Sequence, residues 1–181
     1  MYRVFINPGH MPGIDPGAVN KQHNITEAEI VRSIGTMVTY YLDKAGCEVQ
    51  LLQSDNLYWD GDGPCVVASA NRWSADVFVS LHCNAFNTQA KGTECCIFAA
   101  SSESERLANC IQRQIVDNLH TIDRGIKERP GLLVLNRTDM SAVLVELAFI
   151  DNDDDAQLLI RERDAFARAV ARGVTDYISG R

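Results

Sequence analysis

The sequence predicts an α/β domain: a mostly parallel, twisted sheet of about six strands with helices on both faces. Three observations carry that prediction. Short apolar runs alternate with longer stretches of helical period along the whole chain. Several runs are apolar on both faces, as in residues 76–84 (DVFVSLHCN), which suits a strand buried inside a parallel sheet. Three of them end in a residue that carries chemistry: His10, His82 and Glu146. In open α/β sheets ligands bind at the carboxyl ends of the strands.

Taken in order, residues 2–7 form the first strand. Residues 7–18 (NPGHMPGIDPGA) hold three glycines and three prolines and must be a loop of close backbone approach. The first long helix opens near Thr26, where Thr26 and Glu29 make a T-x-x-E capping box, and it ends at Gly46. At 100° per residue, Glu27 falls on the side of Ile30, Ile34 and Tyr41, while Glu29 points away. Glu27 is therefore an inward carboxylate that needs a cation or hydrogen-bond donors.

Residues 47–53 are the second strand, 54–63 a loop and 64–75 a helix with Pro64 in its first turn. The strand ending at His82 follows, then a loop over 84–92 and a strand over 93–99 nearer an edge. A helix over 101–120 starts at Ser101 or Ser102 and turns Leu107, Cys110, Ile111, Ile115 and Leu119 inward. Residues 121–130 read as a charged loop. Residues 132–136 (LLVLN) and 142–146 (AVLVE) read as the last strands, and 152–160 and 163–178 as closing helices. The acidic run 151–155 (DNDDD) suits a helix N-terminus rather than a calcium loop. No repeat or linker interrupts the 181 residues, so a single domain over 1–181 is expected.

Composition narrows the function. Hydrophobic residues make up 46%, enough for a large core, and the net charge of -7 argues against a nucleic-acid surface. Lys127, Arg129, Arg161 and Arg163 alternate with acids and read as solvated faces. No apolar run is long enough to insert in a membrane. Met1 leads almost at once into a strand, so no leader is expected. The six cysteines form no CxxC pair and sit in apolar patterns, as reduced core thiols do.

Two imidazoles and a carboxylate, with one position left open, form the ligand set of a catalytic zinc site. His10, Glu27 and His82 are the candidates, each at the end of a rigid element. Glu146 is placed to move protons beside the metal. Each residue alone has a plainer reading: a turn histidine, a core histidine bonded to backbone, a carboxylate paired with arginine. Asn84 is a candidate for either substrate contact or loop fixing, and His23 and His120 for the surface. Residues 132–135 read as core, with a groove wall as the alternative.

These pieces in their order carry a family resemblance. They are PGH…DPGA over 8–18, Glu27, ANRWSADVFVSLHCNA over 70–85, DRGIKER over 123–129 and LLVLNRTDMSAVLVELAFIDN over 132–152. The chain resembles the zinc-dependent N-acetylmuramoyl-L-alanine amidases of bacterial and phage cell-wall lysis. The resemblance implies one zinc ion on His10, Glu27 and His82, with Glu146 as catalytic acid/base. It implies hydrolysis of the amide between the lactyl group of N-acetylmuramic acid and L-alanine in peptidoglycan. The chain departs from the family pattern at GHMPGIDPGA in place of a tighter GHGG loop, at Gln53 for arginine, Ser141 for proline and Asp151 for serine. The rival functions are a zinc peptidase acting on another amide and a non-catalytic wall-binding module. Because the implied substrate lies outside the membrane, the expectation is either a lysin released from the cytoplasm through a membrane pore or a catalytic piece of a longer exported protein.

Overall fold

The computed structural model describes residues 1–58 and 64–180; part of the loop expected over 54–63 lies outside the described residues. Strand β1 (Arg3–Pro8) leads to a small hairpin of β2 (Val19–Asn20) and β3 (Ile25–Thr26). Helix α1 (Glu27–Lys44), β4 (Glu48–Leu51), α2 (Val66–Arg72) and β5 (Val77–Asn84) follow. Next come β6 (Thr93–Ile97), α3 (Glu103–Leu119), β7 (Asp123–Glu128) and α4 (Leu133–Asn136). The chain closes with β8 (Ser141–Phe149), α5 (Asp153–Arg161) and α6 (Arg163–Ile178).

Six strands form one sheet in the order β4-β1-β5-β8-β6-β7. Neighbours pair in parallel except β6 with β8. The strand period of two divides the core. Val4, Ile6, Val77, Val79, Leu81, Val143 and Val145 face α1, α3 and α6 in the larger apolar cluster. Phe5, Phe78, Ala142 and Leu144 face α2 and α4 in a smaller one. The rings of Phe5 and Phe78 stack there at 5.8 Å. The expected sheet with both faces covered is present, and β1, β5 and β8 occupy its middle.

The helix ends follow local chemistry. Thr26 accepts from the Glu29 amide at 3.3 Å, and its hydroxyl donates to the Glu29 carboxylate at 2.8 Å. Ser102 caps α3 by accepting from the Glu105 amide at 3.3 Å, while its hydroxyl donates to the Ala99 carbonyl at 2.8 Å. Asn152 caps α5, whose first turn holds Asp153, Asp154 and Asp155, so the acidic run is a helix N-terminus as expected. Helix α2 starts at Val66 and stops at Arg72, shorter at both ends than the sequence reading. All six cysteines are buried thiols.

Two expectations are corrected. Residues 132–136 are not a strand: Leu133–Asn136 is the short helix α4. A brief apolar run does not reveal its period, and here Val134 and Leu135 find the smaller cluster from one helical turn. Residues 123–128, expected in a charged loop, form the edge strand β7. Its residues are half-buried or exposed, because an outermost strand lacks a second neighbour and carries charge against edge pairing. The strand count of six therefore holds with one member exchanged.

Candidate metal centre

The site forms where β1, β5 and β8 end. The ladder between β1 and β5 runs one residue beyond β1, since the Gly9 amide donates to the Leu81 carbonyl at 2.9 Å. The chain then turns at His10, whose φ of 58° lies in the left-handed region. Non-glycine residues there carry strain and concentrate at functional sites. The loop beyond folds back onto α1: the Glu27 amide donates to Ala18 O and the Ala28 amide to Pro16 O, at 2.9 and 3.1 Å.

Two glycines make this crossing sterically feasible. A Cβ on Gly9 would stand 2.2 Å from the His82 ring. A Cβ on Gly17, whose φ is +64°, would stand 2.6 Å from both the Glu27 carboxylate and the His10 ring. The loop thus closes over three side chains that the sequence singled out. His10 Nε2 lies 3.2 Å from Glu27 Oε2, and His82 Nδ1 lies 2.9 Å from Glu27 Oε1. One ligand atom from each of the three lies within 4.8 Å of the others.

Glu27 is 4% exposed. Burial opposes its ionisation, but contacts with His10 and His82 and the Ala18 amide hold its carboxyl far below the usual range. The Cys83 amide also donates to it, at 3.0 Å. The Glu27 contact raises His10 to about 9 against the opposing effect of burial, and Asp15 adds to the rise. Asp15 Oδ2 lies 2.7 Å from His10 Nδ1, on the far side of the ring from Glu27.

Glu146 stands opposite His82 in the β5–β8 register and opposite Glu94 in the β6–β8 register. Its Oε2 is buried and has no hydrogen-bond partner among the described residues. Burial pushes its carboxyl up to about 7; His82 opposes the rise and Glu27 and Glu94 add to it. Glu94 accepts from Arg124 Nε at 2.8 Å and from Asn84 Nδ2 at 3.4 Å. The Asn84 side chain also accepts the Ala85 amide at 2.9 Å. Beside His10 and His82 opens a cavity of about 160 Å³ walled by Leu57, Leu132, Leu133, Val134 and Leu144, with Ser54, Asp55 and Asp15 at its polar side. The segment 132–135 therefore serves both readings, since Val134 and Leu135 are also buried in the smaller cluster.

The family model described as N-acetylmuramoyl-L-alanine amidase matches residues 4–176. The chain belongs to this amidase family. Its likeness extends to the uncharacterised protein YqiI of Bacillus subtilis (strain 168), 37% identical over 96% of this chain and 84% of YqiI. It is 32% identical to the N-acetylmuramoyl-L-alanine amidase LytC of the same organism, over 96% of this chain but 35% of LytC. Among solved structures, the catalytic domain of the amidase CwlV from Bacillus (Paenibacillus) polymyxa var. colistinus superposes with a TM-score of 0.87 at 28% identity, covering 100% of each chain.

Within the amidase, the three-residue cluster suits a divalent cation on its own chemistry. Two imidazoles and an ionised carboxylate, oriented by a second carboxylate and by backbone amides, are the donors such an ion takes. The space the glycines leave is filled by the Glu27 carboxylate and the His10 and His82 rings. Sequence reasoning missed Asp15, Glu94 and Arg124. Asp15 had one signal: an acid five residues after His10 in the same loop. His23, expected on the surface, lies 2.6 Å from Asp153 at the start of α5, and His120 is exposed beyond the end of α3.

Proposed function

We propose that the chain hydrolyses the amide between the lactyl group of N-acetylmuramic acid and L-alanine in peptidoglycan. One Zn2+ would be held by His10, Glu27 and His82, with Glu146 as the acid/base. The observation that carries this reading is the meeting of those three donors, within 4.8 Å, at the sheet edge where Glu146 stands in register with His82. When bound, the zinc ion supplies Lewis acidity toward a carbonyl oxygen and toward water.

The remaining work falls to the chain. Glu146 Oε2, buried and unpartnered, accepts a proton from the attacking water. A carboxyl that titrates near 7 is balanced to take that proton and to give it up again. It delivers the proton to the alanine nitrogen as the C–N bond breaks, leaving a lactyl carboxylate and a free amine. Asp15 holds His10 by Nδ1 and so directs Nε2 toward the metal position. The apolar walls of the cavity suit the small methyl groups on either side of this amide. For Asn84 to touch substrate it must leave Glu94, and at 3.4 Å that contact is easily exchanged.

We infer further that the chain is one catalytic unit, working on wall material outside the membrane. Among the described residues no helix is long and apolar enough to cross a membrane. Digestion of purified cell walls followed by mass spectrometry tests the bond assignment. Free α-amines on L-alanine, with glycan strands keeping their lactyl carboxylates, are expected. Release of another amino acid, as a carboxypeptidase gives, would replace this reading. Wall binding without any new amine would make the chain a binding module.

A further inference from the structure

Two residues beyond β4, Gln53 makes a contact that the proposed chemistry does not use. Gln53 is half-buried. Its Nε2 donates to the Gly9 carbonyl at 3.1 Å and to the Ala28 carbonyl at 3.0 Å. Gly9 directly precedes His10, and Ala28 directly follows Glu27. A primary amide has two N–H groups, and Gln53 spends both here. Its Oε1 is buried and has no partner among the described residues.

The amide has one tolerable orientation. Turned over, it would set Oε1 against two carbonyl oxygens and take the side-chain donor from each. The present orientation leaves one acceptor unpaired instead, which is itself unfavourable. A residue chosen for packing would not carry that defect, since leucine or methionine would fill the space without a polar atom. The base of the side chain is also held. The Leu52 amide donates to the Ile6 carbonyl at 3.0 Å, and Asn7 Nδ2 donates to the Leu52 carbonyl at 3.0 Å. Gln53 therefore reaches from an anchored sheet edge to the two backbone segments that carry His10 and Glu27.

We propose that Gln53 is a positioning residue whose amide ties the His10 loop to the first turn of α1 and so sets the spacing of two metal ligands. The proposal rests on the reading that His10, Glu27 and His82 hold Zn2+. Among the described residues no other side chain on the β4 side joins those two carbonyls, and the loop contacts through Pro16 and Ala18 hold α1 from the opposite end of the loop.

The test is Zn2+ affinity by competition with a chromogenic chelator, on the wild type, Gln53→Met and Gln53→Arg, together with thermal unfolding of each protein stripped of metal. Outer partners of metal ligands typically change affinity by about 10–100-fold. Gln53→Met should fall in that range. Gln53→Arg offers N–H donors to the same two carbonyls and should stay within about threefold of wild type. Wild-type affinity in a folded Gln53→Met protein overturns the proposal, as does a fall in metal-free stability with affinity unchanged. If Gln53→Met fails to fold, Gln53→Arg decides: retained affinity supports the tie, and a loss of about tenfold or more in the folded protein overturns it. A wild type that binds no Zn2+ instead removes the metal reading on which the proposal stands.

Discussion

Glu27 and Glu146 both lie beside His82, yet their surroundings push them in opposite directions. Glu27 is buried deeply but touches two imidazoles and two backbone amides, which keep it ionised. Glu146 is half-buried, with one oxygen enclosed and facing no donor among the described residues, and burial raises its carboxyl to about 7. The same functional group is thus a fixed anion in one place and a carboxyl that holds its proton close to neutral pH in the other. Glu146→Gln should leave Zn2+ content unchanged by elemental analysis and lower kcat for wall digestion by about 10²–10⁴. Turnover at the wild-type rate would remove Glu146 from the chemistry. At this scale the sequence was informative wherever a side chain ended a regular element. His82 ended a strand, His10 followed one, and helical phase turned Glu27 inward. Asp15 offered only its place in the loop and Gln53 only its departure from the family pattern, because their partners are set by how an irregular loop folds back, which no period encodes.

Between residues and the whole lies the loop joining β1 to the hairpin, and glycine geometry decides what it can do. Gly17 sits at φ +64° with Glu27 Oε2 and the His10 ring 2.6 Å from where a Cβ would be. Gly17→Ala adds left-handed strain of about 1–2 kcal/mol and a clash with two proposed ligands. The sheet does not depend on this loop, so the variant should keep its far-UV circular dichroism. Its Zn2+ affinity should fall about tenfold or more, as for other disturbances beside ligands. Unchanged affinity would mean that the loop yields without moving His10 or Glu27. Elements with a strong apolar period, such as α1, α3 and α6, were legible from sequence nearly to their ends. Edge strand β7 was not, because Asp123, Arg124, Lys127 and Glu128 obey the needs of an exposed rim rather than an alternation. Helix α4 was not, because four residues are too few to show a period.

For the molecule as a whole, placing β5 between β1 and β8 concentrates unlike charges at one edge of the sheet, and stability should record that. In the protein stripped of metal, Glu146 titrates at about 7 when folded against an ordinary 4.5. Above 4.5 the unfolded chain has released that proton while the folded chain still holds it. The unfolded state then binds fewer protons, so stability must fall as pH rises from 4.5 to 7. The span corresponds to a cost on the order of 3 kcal/mol for this group. Glutamine at 146 does not titrate, so Glu146→Gln should gain on the wild type over that window and run parallel to it above. The His10 contribution has the same sign at higher pH: full below 6.5 and lost as pH rises through about 9. It is common to both proteins and cancels from their difference. Urea unfolding in chelator from pH 4 to 8 measures that difference directly. A constant offset would mean that Glu146 ionises as freely in the fold as in water. Adding Zn2+ should then shrink the difference, because a cation bound only by the folded state stabilises it and favours the ionised carboxylate beside it.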